Sequence, residues 1–170
     1  ETEQLTTHLL SKYSDKKWVI DAGALQMVDP TLLHHPMIVT PHHQELEQLT
    51  SHMHNKNIDS KNVGSVSHEL KNTVILLKGP TDEVVSNEKQ EKTDGGNAGM
   101  TKGGTGDVLA GLVAGLYAFT DDPFAAAVVG SYINKKAGDE LYKTVGPFFN
   151  ATDLANQIPK TLKEVFFPQN

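Results

Sequence analysis

The fold of this chain is decided by thirteen residues, Gly95-Gly-Asn-Ala-Gly-Met-Thr-Lys-Gly-Gly-Thr-Gly-Asp107, and by the apolar run 108–119 that follows them. Six of the thirteen are glycines. Because glycine has no Cβ, such a loop can adopt positive φ and bring its N–H groups close to a ligand. A helix start adds unpaired N–H donors and the positive end of the helix dipole. The spacing therefore predicts an anion-binding loop at a helix N-terminus, with a phosphate as the expected anion.

Two simpler interpretations of this loop are a flexible linker and a helix cap formed by Asp107. A linker is disfavoured because the loop continues into apolar residues at helical spacing, namely Leu109, Leu112, Val113, Leu116 and Tyr117. A Walker P-loop is excluded because Gly106 is followed by Asp107 rather than by Lys and Ser or Thr. Spacing does not separate a capping Asp107 from a catalytic one that accepts a proton from a hydroxyl during phosphoryl transfer.

Length and composition limit the classes of protein to which the chain can belong. Its 170 residues fit one domain with a single α/β core. A net charge of -6 with scattered lysines argues against a nucleic-acid partner. No apolar stretch approaches the ~20 residues of a membrane span, so no membrane partner is expected.

The chain contains no cysteine and no arginine. Without cysteine there are no disulfides and no thiolate chemistry, which suits a reducing cytoplasm. Without arginine, a phosphate must be held by backbone N–H groups, lysine and histidine. This composition gives the glycine loop added weight as the anion site.

Strand and helix patterns alternate through residue 78, which is typical of a parallel sheet flanked by helices. Buried strands are expected at 18–23, 37–41 and 73–78, followed by a strand pair at 83–86 and 89–93. Helices are expected at 2–13, 43–53, 59–70, 106–119, 123–142 and 151–166. Asp122 and Pro123 give the fifth helix a good start, whereas Thr152 and Ala155 form no capping box for the last one.

Three polar segments follow the three expected parallel strands, at 21–23, 40–45 and 78–82. Ligands of parallel sheets bind at the carboxyl ends of the strands, so these segments should line one crevice with the glycine loop. In the third segment, the turn could hold a nucleotide through its backbone, with Lys78 near a phosphate and Asp82 at a ribose or base. The same sequence is also a good turn between two strands, and the residues alone leave both interpretations open.

The segment Thr40-Pro-His-His-Gln-Glu45 brings two histidines and a glutamate together. Their spacing matches no metal-ligand pattern, and His52 and His54 do not complete one, so no protein-held metal is predicted. A polar turn leading into a helix fits better, with His42 donating a hydrogen bond in the crevice and Glu45 in the first helical turn. The remaining histidines, including His34, His35 and His68, are expected to face solvent.

Four segments, in order along the chain, resemble the NAD(P)H-hydrate dehydratase family of the ribokinase-like superfamily. They are Val19-Ile-Asp-Ala-Gly-Ala-Leu25, Val39-Thr-Pro-His-His-Gln-Glu45, Leu77-Lys-Gly-Pro-Thr-Asp82 and Gly96-Asn-Ala-Gly-Met-Thr-Lys-Gly-Gly-Thr-Gly-Asp-Val-Leu-Ala-Gly111. The last is the most specific. Ribokinase-like kinases in general share only a Gly-Ala-Gly-Asp type core, whereas the preceding Gly-Asn-x-Gly-Met resembles the dehydratases.

The resemblance implies an α/β fold, a three-layer αβα sandwich with a mostly parallel central sheet. It also implies that residues 1–170 are the C-terminal part of one ribokinase-like domain. Full members of the family carry an upstream segment with a Gly-Pro-Gly-Leu-Gly loop that helps to bind the hydrate, and nothing here matches that loop. The chain is therefore expected to function with such a segment, in a cytoplasmic homotetramer.

The resemblance further implies repair of nicotinamide nucleotides. NADH or NADPH hydrate (NADHX or NADPHX) would be phosphorylated on its C6 hydroxyl by ADP or ATP with Mg²⁺, and elimination would restore NAD(P)H. By the match, Asp107 contacts the hydrate and is the base, and His42 also contacts the hydrate. The adenine nucleotide is expected to bind the remaining matched residues: Lys78, Gly79, Pro80, Thr81, Asp82, Asn97, Gly103, Gly104, Thr105 and Gly106.

Two other functions remain open at this point. One is a small-molecule kinase of the same superfamily, acting on a hydroxymethylpyrimidine, a thiazole or a sugar. The other is a nucleotide-binding module without catalysis.

Overall fold

A five-stranded sheet forms the centre of the computed structural model, which describes residues 1–53, 58–87 and 89–168. The strands are β1 (Val19–Ile20), β2 (Ile38–Val39), β3 (Val74–Leu77), β4 (Asp82–Ser86) and β5 (Lys89–Thr93). Their order in the sheet follows the chain. β1, β2 and β3 are parallel, β4 is antiparallel to β3, and β5 is antiparallel to β4. Four of these five strands therefore run in the same direction, as expected for a mostly parallel sheet.

The described residues also form seven α-helices. They are α1 (Thr2–Lys12), α2 (Ala22–Met27), α3 (His43–Ser51), α4 (Val63–Glu69), α5 (Thr105–Phe119), α6 (Pro123–Val145) and α7 (Ala151–Phe166). Two short 3₁₀ turns lie at Pro30–Leu32 and Ala98–Met100. In the described part of the chain, none of the helices is both long and apolar enough to cross a membrane.

Alternation along β3 explains the three layers. Successive side chains of a strand point to opposite faces of the sheet. Ile75 and Leu77 pack into the core formed with α1 to α4, whereas Val74 and Leu76 pack into the core formed with α5 and α6. Because β3 is buried on both faces, it is apolar throughout rather than alternating. A third cluster joins α7 to α6. The expected αβα sandwich is confirmed.

The first strand is shorter than the sequence predicts. β1 ends at Ile20 and α2 begins at Ala22, with Asp21 in extended conformation at its N-cap. Gly23, which looks like a strand terminator in the sequence, lies inside α2. The error arises because a glycine after an apolar run is equally compatible with a turn and with a helix that starts immediately.

Two helix boundaries differ from expectation by three or more residues. α4 begins at Val63 rather than at residue 59, because the Asn62 side chain caps it by accepting from the N–H of Ser65 at 3.0 Å. α6 continues past residue 142 to Val145 and ends at Gly146, which has a φ of 61°. Its predicted start is confirmed, since the Asp122 carboxylate accepts hydrogen bonds from two N–H groups of the first turn.

α7 spans the predicted residues and does have a capping box, which is formed by Asn150 and Asp153 instead of Thr152 and Ala155. The Asn150 side chain accepts from the N–H groups of Thr152 and Asp153, and the Asp153 carboxylate accepts from the N–H of Asn150 at 2.9 Å. An Asn and Asp pair satisfies the same orphan donors as the usual Ser/Thr and Glu pair. The start of α7 is therefore firmly fixed.

A buried tyrosine ties α5 to the sheet. Tyr117 is almost fully buried, and its hydroxyl donates to the carbonyl oxygen of Pro36 at 2.9 Å. Burial, assisted by the charge of Asp121, raises the pKa of the Tyr117 phenol above its usual value. This contact holds the C-terminal half of α5 next to the segment that enters β2, so the orientation of the glycine loop at its other end is set by the core.

Candidate active site

A cleft of about 680 Å³ opens between the segments that follow β2 and β3 and the start of α5. This volume is typical of a small-molecule site. Eight of the twelve predicted site residues line it: His42, Lys78, Gly79, Pro80, Asp82, Asn97, Thr105 and Gly106. Thr81, Gly103, Gly104 and Asp107 are not among the lining residues. The predicted crevice is therefore present, and most of the residues expected there line one surface.

The glycine loop delivers the N-terminus of α5 to this cleft. Gly104 is the N-cap residue with a φ of 89°, and a Cβ there would lie 2.9 Å from the Cβ of Ala151. Only glycine fits such a position without strain. Among the described residues, the N–H groups of Gly106 and Asp107 donate to no acceptor. These donors and the helix dipole remain available to an anion, and the flexible-linker interpretation is wrong.

Two side chains of the loop fix its shape. Thr105 Oγ1 lies 2.6 Å from the carbonyl oxygen of Met100 and 2.8 Å from that of Lys102. Lys102 Nζ donates to the carbonyl oxygens of Pro147 and Phe149, the latter at 2.6 Å. The loop is thus anchored to its own 3₁₀ turn and to the segment that leads into α7, which keeps its donors in place.

Three charged side chains meet at the strand ends beside the start of α5. Lys78 Nζ lies 2.8 Å from Asp21 Oδ1 and 3.7 Å from Glu45 Oε2. A Cβ on Gly106 would be 3.6 Å from Lys78 Nζ, so the ammonium group lies against the first turn of the helix. The sequence indicates that Asp21 and Glu45 follow strands but gives neither a role. In the structure these two carboxylates hold Lys78 where it is predicted to meet a phosphate.

His42 has a structural role that its sequence context does not reveal. Its Nδ1 accepts from the N–H of Glu45 at 3.2 Å, and Glu45 Oε2 accepts from the N–H of His42 at 2.9 Å, so the pair caps α3. A neutral ring that accepts at Nδ1 carries its proton on Nε2. The side chain is 48% exposed and lines the cleft, and its Nε2 lies 3.6 Å from Glu45 Oε2, which is beyond hydrogen-bond distance, so this N–H can reach a ligand. The predicted contact of His42 with substrate stays a prediction.

The histidines that the structure describes form no metal-ligand cluster. Within the described ranges, no group of three or more His, Asp, Glu or Cys side chains could hold a metal ion. His54 lies outside the described residues. His35 and His68 face solvent as expected, whereas His34 is half-buried, with Nδ1 2.8 Å from the carbonyl oxygen of His35.

Asp82 is buried, and both of its carboxylate oxygens are engaged by the protein. Oδ1 accepts from the N–H of Gly79 at 2.9 Å and lies 3.3 Å from Lys135 Nζ, and Oδ2 accepts from the hydroxyl of Ser131 at 2.7 Å. The side chain therefore stabilises the turn, as in the purely structural interpretation of this segment. Direct contact of Asp82 with a ribose or base stays a prediction, and these partners leave it little capacity for one.

The loop before the 3₁₀ turn is held by α6. Asp139 Oδ2 accepts from the N–H of Gly96 at 3.1 Å, and its Oδ1 accepts from Asn97 Nδ2 at 3.0 Å. Asn97 Nδ2 also donates to the carbonyl oxygen of Gly138 at 3.0 Å. The Asn97 amide is thus used to shape the cleft, and its predicted contact with nucleotide stays untested.

Sequence reasoning missed the contribution of α6 to the site. Ser131, Lys135 and Asp139 recur every fourth residue and hold the segments that border the cleft. Asn134 also lines the cleft, and its buried Oδ1 has no hydrogen-bond partner among the described residues. The available signal was polar residues at helical spacing in a helix otherwise rich in small and apolar residues.

Asp107 lies on the exposed side of α5. It is the third residue of the helix and makes no capping hydrogen bond, so the interpretation of Asp107 as the helix cap is wrong. In residues 1–53, 58–87 and 89–168, no hydrogen bond or ion pair engages its carboxylate. Asp107 follows Gly106 in the first turn of α5 but is not among the residues that line the cleft, so its exposed carboxylate can act on a molecule that approaches α5 from solvent.

The same combination of segments is found in known proteins. A model of the NAD(P)H-hydrate dehydratase family matches residues 1–160. The chain belongs to the NAD(P)H-hydrate dehydratase family. One relative is the bifunctional NAD(P)H-hydrate repair enzyme of Methanocaldococcus jannaschii, which is 39% identical over 166 residues. That match covers 95% of this chain and 30% of the relative, so this dehydratase-family chain spans about a third of the length of that protein.

Two solved structures agree with the family assignment. The ADP/ATP-dependent NAD(P)H-hydrate dehydratase of Bacillus subtilis, co-crystallised with ATP and Mg²⁺, superposes with a TM-score of 0.74 at 27% identity. A ribokinase-like superfamily protein of Enterococcus faecalis superposes with a TM-score of 0.77 at 26% identity. Each match covers 95% of this chain, and 59% and 58% of the respective structures. The expected ribokinase-like fold of this dehydratase-family chain is confirmed.

Proposed function

We propose that the protein carrying this chain repairs nicotinamide nucleotides by converting (6S)-NAD(P)H hydrate to NAD(P)H, with ADP or ATP as the phosphoryl donor. The observation that carries the proposal is the unengaged Asp107 carboxylate beside the unpaired N–H of Gly106. The family match and the name of the Bacillus subtilis relative support the substrate and the donor. By this proposal the protein is an enzyme that cleaves a carbon–oxygen bond.

The cleft suits an adenine nucleotide oriented with its phosphates toward α5. The unpaired donors at Gly106 and Asp107 and the ammonium of Lys78 would bind the terminal phosphate. At the α6 side of the cleft, Asn134 Oδ1, which has no partner among the described residues, can accept a hydrogen bond from a base that carries an amino group, as adenine does. Leu109 and Met100 supply apolar lining for the base.

In the proposed first step, Asp107 accepts the proton of the C6 hydroxyl of the hydrate. The hydroxyl oxygen then forms a bond to the terminal phosphorus, and the bond from that phosphorus to its bridging oxygen breaks. The electron pair leaves with AMP when ADP is the donor, or with ADP when ATP is the donor. The N–H groups at the start of α5 stabilise the charge on the phosphoryl oxygens as it develops.

In the second step, the C6–O bond breaks and its electron pair leaves with phosphate. The C5 proton is lost to solvent, and the C5–H electron pair forms the ring double bond of NAD(P)H. Phosphorylation matters because phosphate is a far better leaving group than hydroxide. Water must be kept from the phosphoryl group during this sequence, which requires the exposed side of α5 to be covered when substrate is bound.

Magnesium fits this scheme only as a companion of the nucleotide. The described residues contain no cluster of acidic or histidine side chains that would hold the ion. Mg²⁺ commonly keeps several waters and binds through substrate phosphates, where it neutralises part of their charge. We therefore assign no protein ligand to it.

The hydrate site extends beyond this chain in our proposal. Asp107 is exposed, and the solved relatives are longer than the chain. We infer that residues 1–170 are the C-terminal part of one ribokinase-like domain, whose upstream segment completes the hydrate pocket beside α5 and His42. We further propose a cytoplasmic homotetramer, as the family resemblance implies.

A direct assay tests the proposed function. The full-length protein is incubated with hydrated NADH and with ADP or ATP, and recovery of dihydronicotinamide absorbance is followed. Release of AMP or of ADP identifies the donor. Failure of both nucleotides to support recovery, in a protein that is folded by circular dichroism, would contradict the proposal.

The family match favours the dehydratase over the two other functions. A small-molecule kinase would instead transfer phosphate to a hydroxymethylpyrimidine, thiazole or sugar and leave hydrated NADH unchanged. A non-catalytic module would bind ADP in a calorimeter and turn over none of these substrates.

A further inference from the structure

We propose that Lys135 is a positioning residue that holds the two loops bordering the nucleotide cleft at a fixed separation. This inference rests on the proposed function, since it assumes that the cleft binds a nucleotide. Lys135 is on α6, it is 5% exposed, and it lines the cleft.

Four oxygen atoms from separate stretches of chain surround the Lys135 ammonium group. Its Nζ donates to the carbonyl oxygens of Gly79 at 3.0 Å, Pro80 at 2.9 Å and Gly95 at 3.1 Å. The fourth is Asp82 Oδ1 at 3.3 Å. A single cation thus joins the turn after β3, the first residue of β4 and the loop after β5 to one point on α6.

The charge of this cation is compensated locally. Asp82 is buried and supplies one negative charge, and its remaining capacity is used by Gly79 and Ser131. A buried ion pair survives when additional hydrogen bonds satisfy both partners, which is the case here. The pair therefore contributes no net charge to the cleft and is not a phosphate-binding group.

The aliphatic part of Lys135 shapes the second loop. Gly95 and Gly96 have φ values of 108° and 76°, where only glycine is comfortable. A Cβ on Gly95 would lie 3.7 Å from Lys135 Cβ, and a Cβ on Gly96 would lie 3.4 Å from Lys135 Cγ. The loop therefore packs along the aliphatic part of the Lys135 side chain, while the carbonyl oxygen of Gly95 accepts a hydrogen bond from the Lys135 ammonium group.

As a consequence, the backbone carbonyl groups beside the cleft are already oriented before a nucleotide binds. Three carbonyl oxygens point at Lys135 instead of into a space that receives an anionic nucleotide. Without the ammonium group these carbonyls lose their donor, and the loops can rotate them toward the ligand. If only about one molecule in ten then has both loops correctly placed, the nucleotide Kd rises about tenfold.

Chemical complementation separates this role from simple packing. In Lys135→Ala, the atoms removed beyond Cβ correspond to propylammonium. We expect the ADP Kd, measured by calorimetry on the full-length protein, to rise at least about tenfold. The KM for nucleotide should rise in parallel, while kcat at saturating nucleotide stays within about twofold, because the reacting groups at α5 are untouched. Added propylammonium should restore the affinity, and equimolar sodium should not.

Lys136 provides the matched control. It is the next residue of the same helix, it is partly exposed, and its only described ion pair is a 4.0 Å contact with Glu140. Lys136→Ala should leave the ADP Kd unchanged and should not respond to propylammonium. If Lys135→Ala does not fold, the same measurement is made on Lys135→Gln, whose side chain keeps two N–H donors. We expect a several-fold loss of ADP affinity in that variant.

The outcomes distinguish this inference from the proposed function. Wild-type affinity in the folded Lys135 variant would overturn the positioning role alone. A loss of kcat without a change in KM would overturn it as well. If the wild-type protein bound no ADP, the proposed function would fail, and the inference would fail with it.

Discussion

The turn at residues 78–82 and the end of the glycine loop at residues 102–107 border the same active-site region, but they are held in opposite ways. The turn is fixed from inside by a buried ion pair between Asp82 and Lys135. The loop is fixed by its own Lys102, which reaches the segment before α7, and in the described part of the chain the N–H groups of Gly106 and Asp107 have no acceptor. The polar groups of the turn form hydrogen bonds within the protein, whereas the N–H donors of the glycine loop are available to a ligand.

The difference shows that an acidic residue in a site motif can either stabilise the protein framework or remain available to a ligand. Asp82 ends one matched segment and Asp107 lies within another, and the sequence predicts a ligand contact for both. Asp82 is 4% exposed and fully bonded, whereas Asp107 is exposed and unengaged among the described residues. Burial with a cation makes the first carboxylate part of the framework, while a position on the third residue of a helix leaves the second available for proton transfer.

The largest expected effect comes from removing the buried carboxylate. In Asp82→Ala, the Lys135 ammonium remains buried without its counter-charge. Breaking a buried pair in this way typically costs about 3–5 kcal/mol, and we expect a loss of that size in the free energy of unfolding. Urea denaturation of the full-length protein, followed by circular dichroism, measures it.

Lys78→Ala serves as a comparison for this variant. Lys78 is also paired with carboxylates, but its side chain is 21% exposed against 7% for Lys135 and it lines the open cleft. Water can therefore reach the carboxylates that its removal leaves unpaired, and the loss of stability should be smaller. Equal stability losses in the two variants would show that the turn does not depend on burial of its ion pair.

The next effect concerns turnover rather than stability. In Asp107→Asn, the shape of the loop is kept but the proton acceptor is lost, so turnover of hydrated NADH should fall at least about 10²-fold. The ADP Kd and the melting temperature should be nearly unchanged, because this carboxylate has no hydrogen-bond or ion-pair partner among the described residues. Steady-state kinetics and calorimetry on the same preparation measure both quantities.

Asp122→Asn is the matched control, because Asp122 is at the start of α6 and does cap its helix. That variant should lose at most about 1 kcal/mol of stability and keep its turnover. Near-normal turnover in Asp107→Asn would remove Asp107 from the chemistry and leave the glycine loop as a binding element only.

The smallest effect tests the backbone of the glycine loop. Gly104→Ala places a Cβ at a φ of 89° and 2.9 Å from the Cβ of Ala151. We expect a loss of about 1–2 kcal/mol in the free energy of unfolding, from the left-handed conformation alone. Nucleotide affinity should weaken as well, because the first turn of α5 must shift.

Gly103→Ala is the companion variant. A Cβ there meets nothing within 4 Å, and its φ is not positive, so its stability should stay within about 0.5 kcal/mol of the wild type. If both variants were equally stable, the loop would be more adaptable than its geometry indicates.

Much of this architecture follows from local sequence. The apolar run of β3, the spacing of Leu109 and Val113, and the glycines before them predict a buried strand and a helix that begins at a glycine loop, all in the correct places. These signals succeed because each depends on neighbouring residues only. The motif match then supplies the family, which local physics alone does not.

The remaining features depend on contacts that no local pattern encodes. Lys135 binds Gly79, which lies 56 residues earlier, and the sequence offers no reason to pair them. Whether Asp107 caps α5 depends on the conformation of Gly104, since a shift of the helix start by a few residues changes its role. Such features need the packed structure because they arise where distant segments meet.

The β4–β5 hairpin also offers a practical means of observing the protein. Since β4 begins at the cleft and runs away from it, the turn at Asn87 lies a strand length, roughly 13 Å, from the bound nucleotide in our proposal. The chain has no native cysteine, so a single cysteine introduced at Asn87 could be labelled selectively with a fluorophore. Such a reporter would follow loop movements around Gly95 at the other end of β5 without occupying the site.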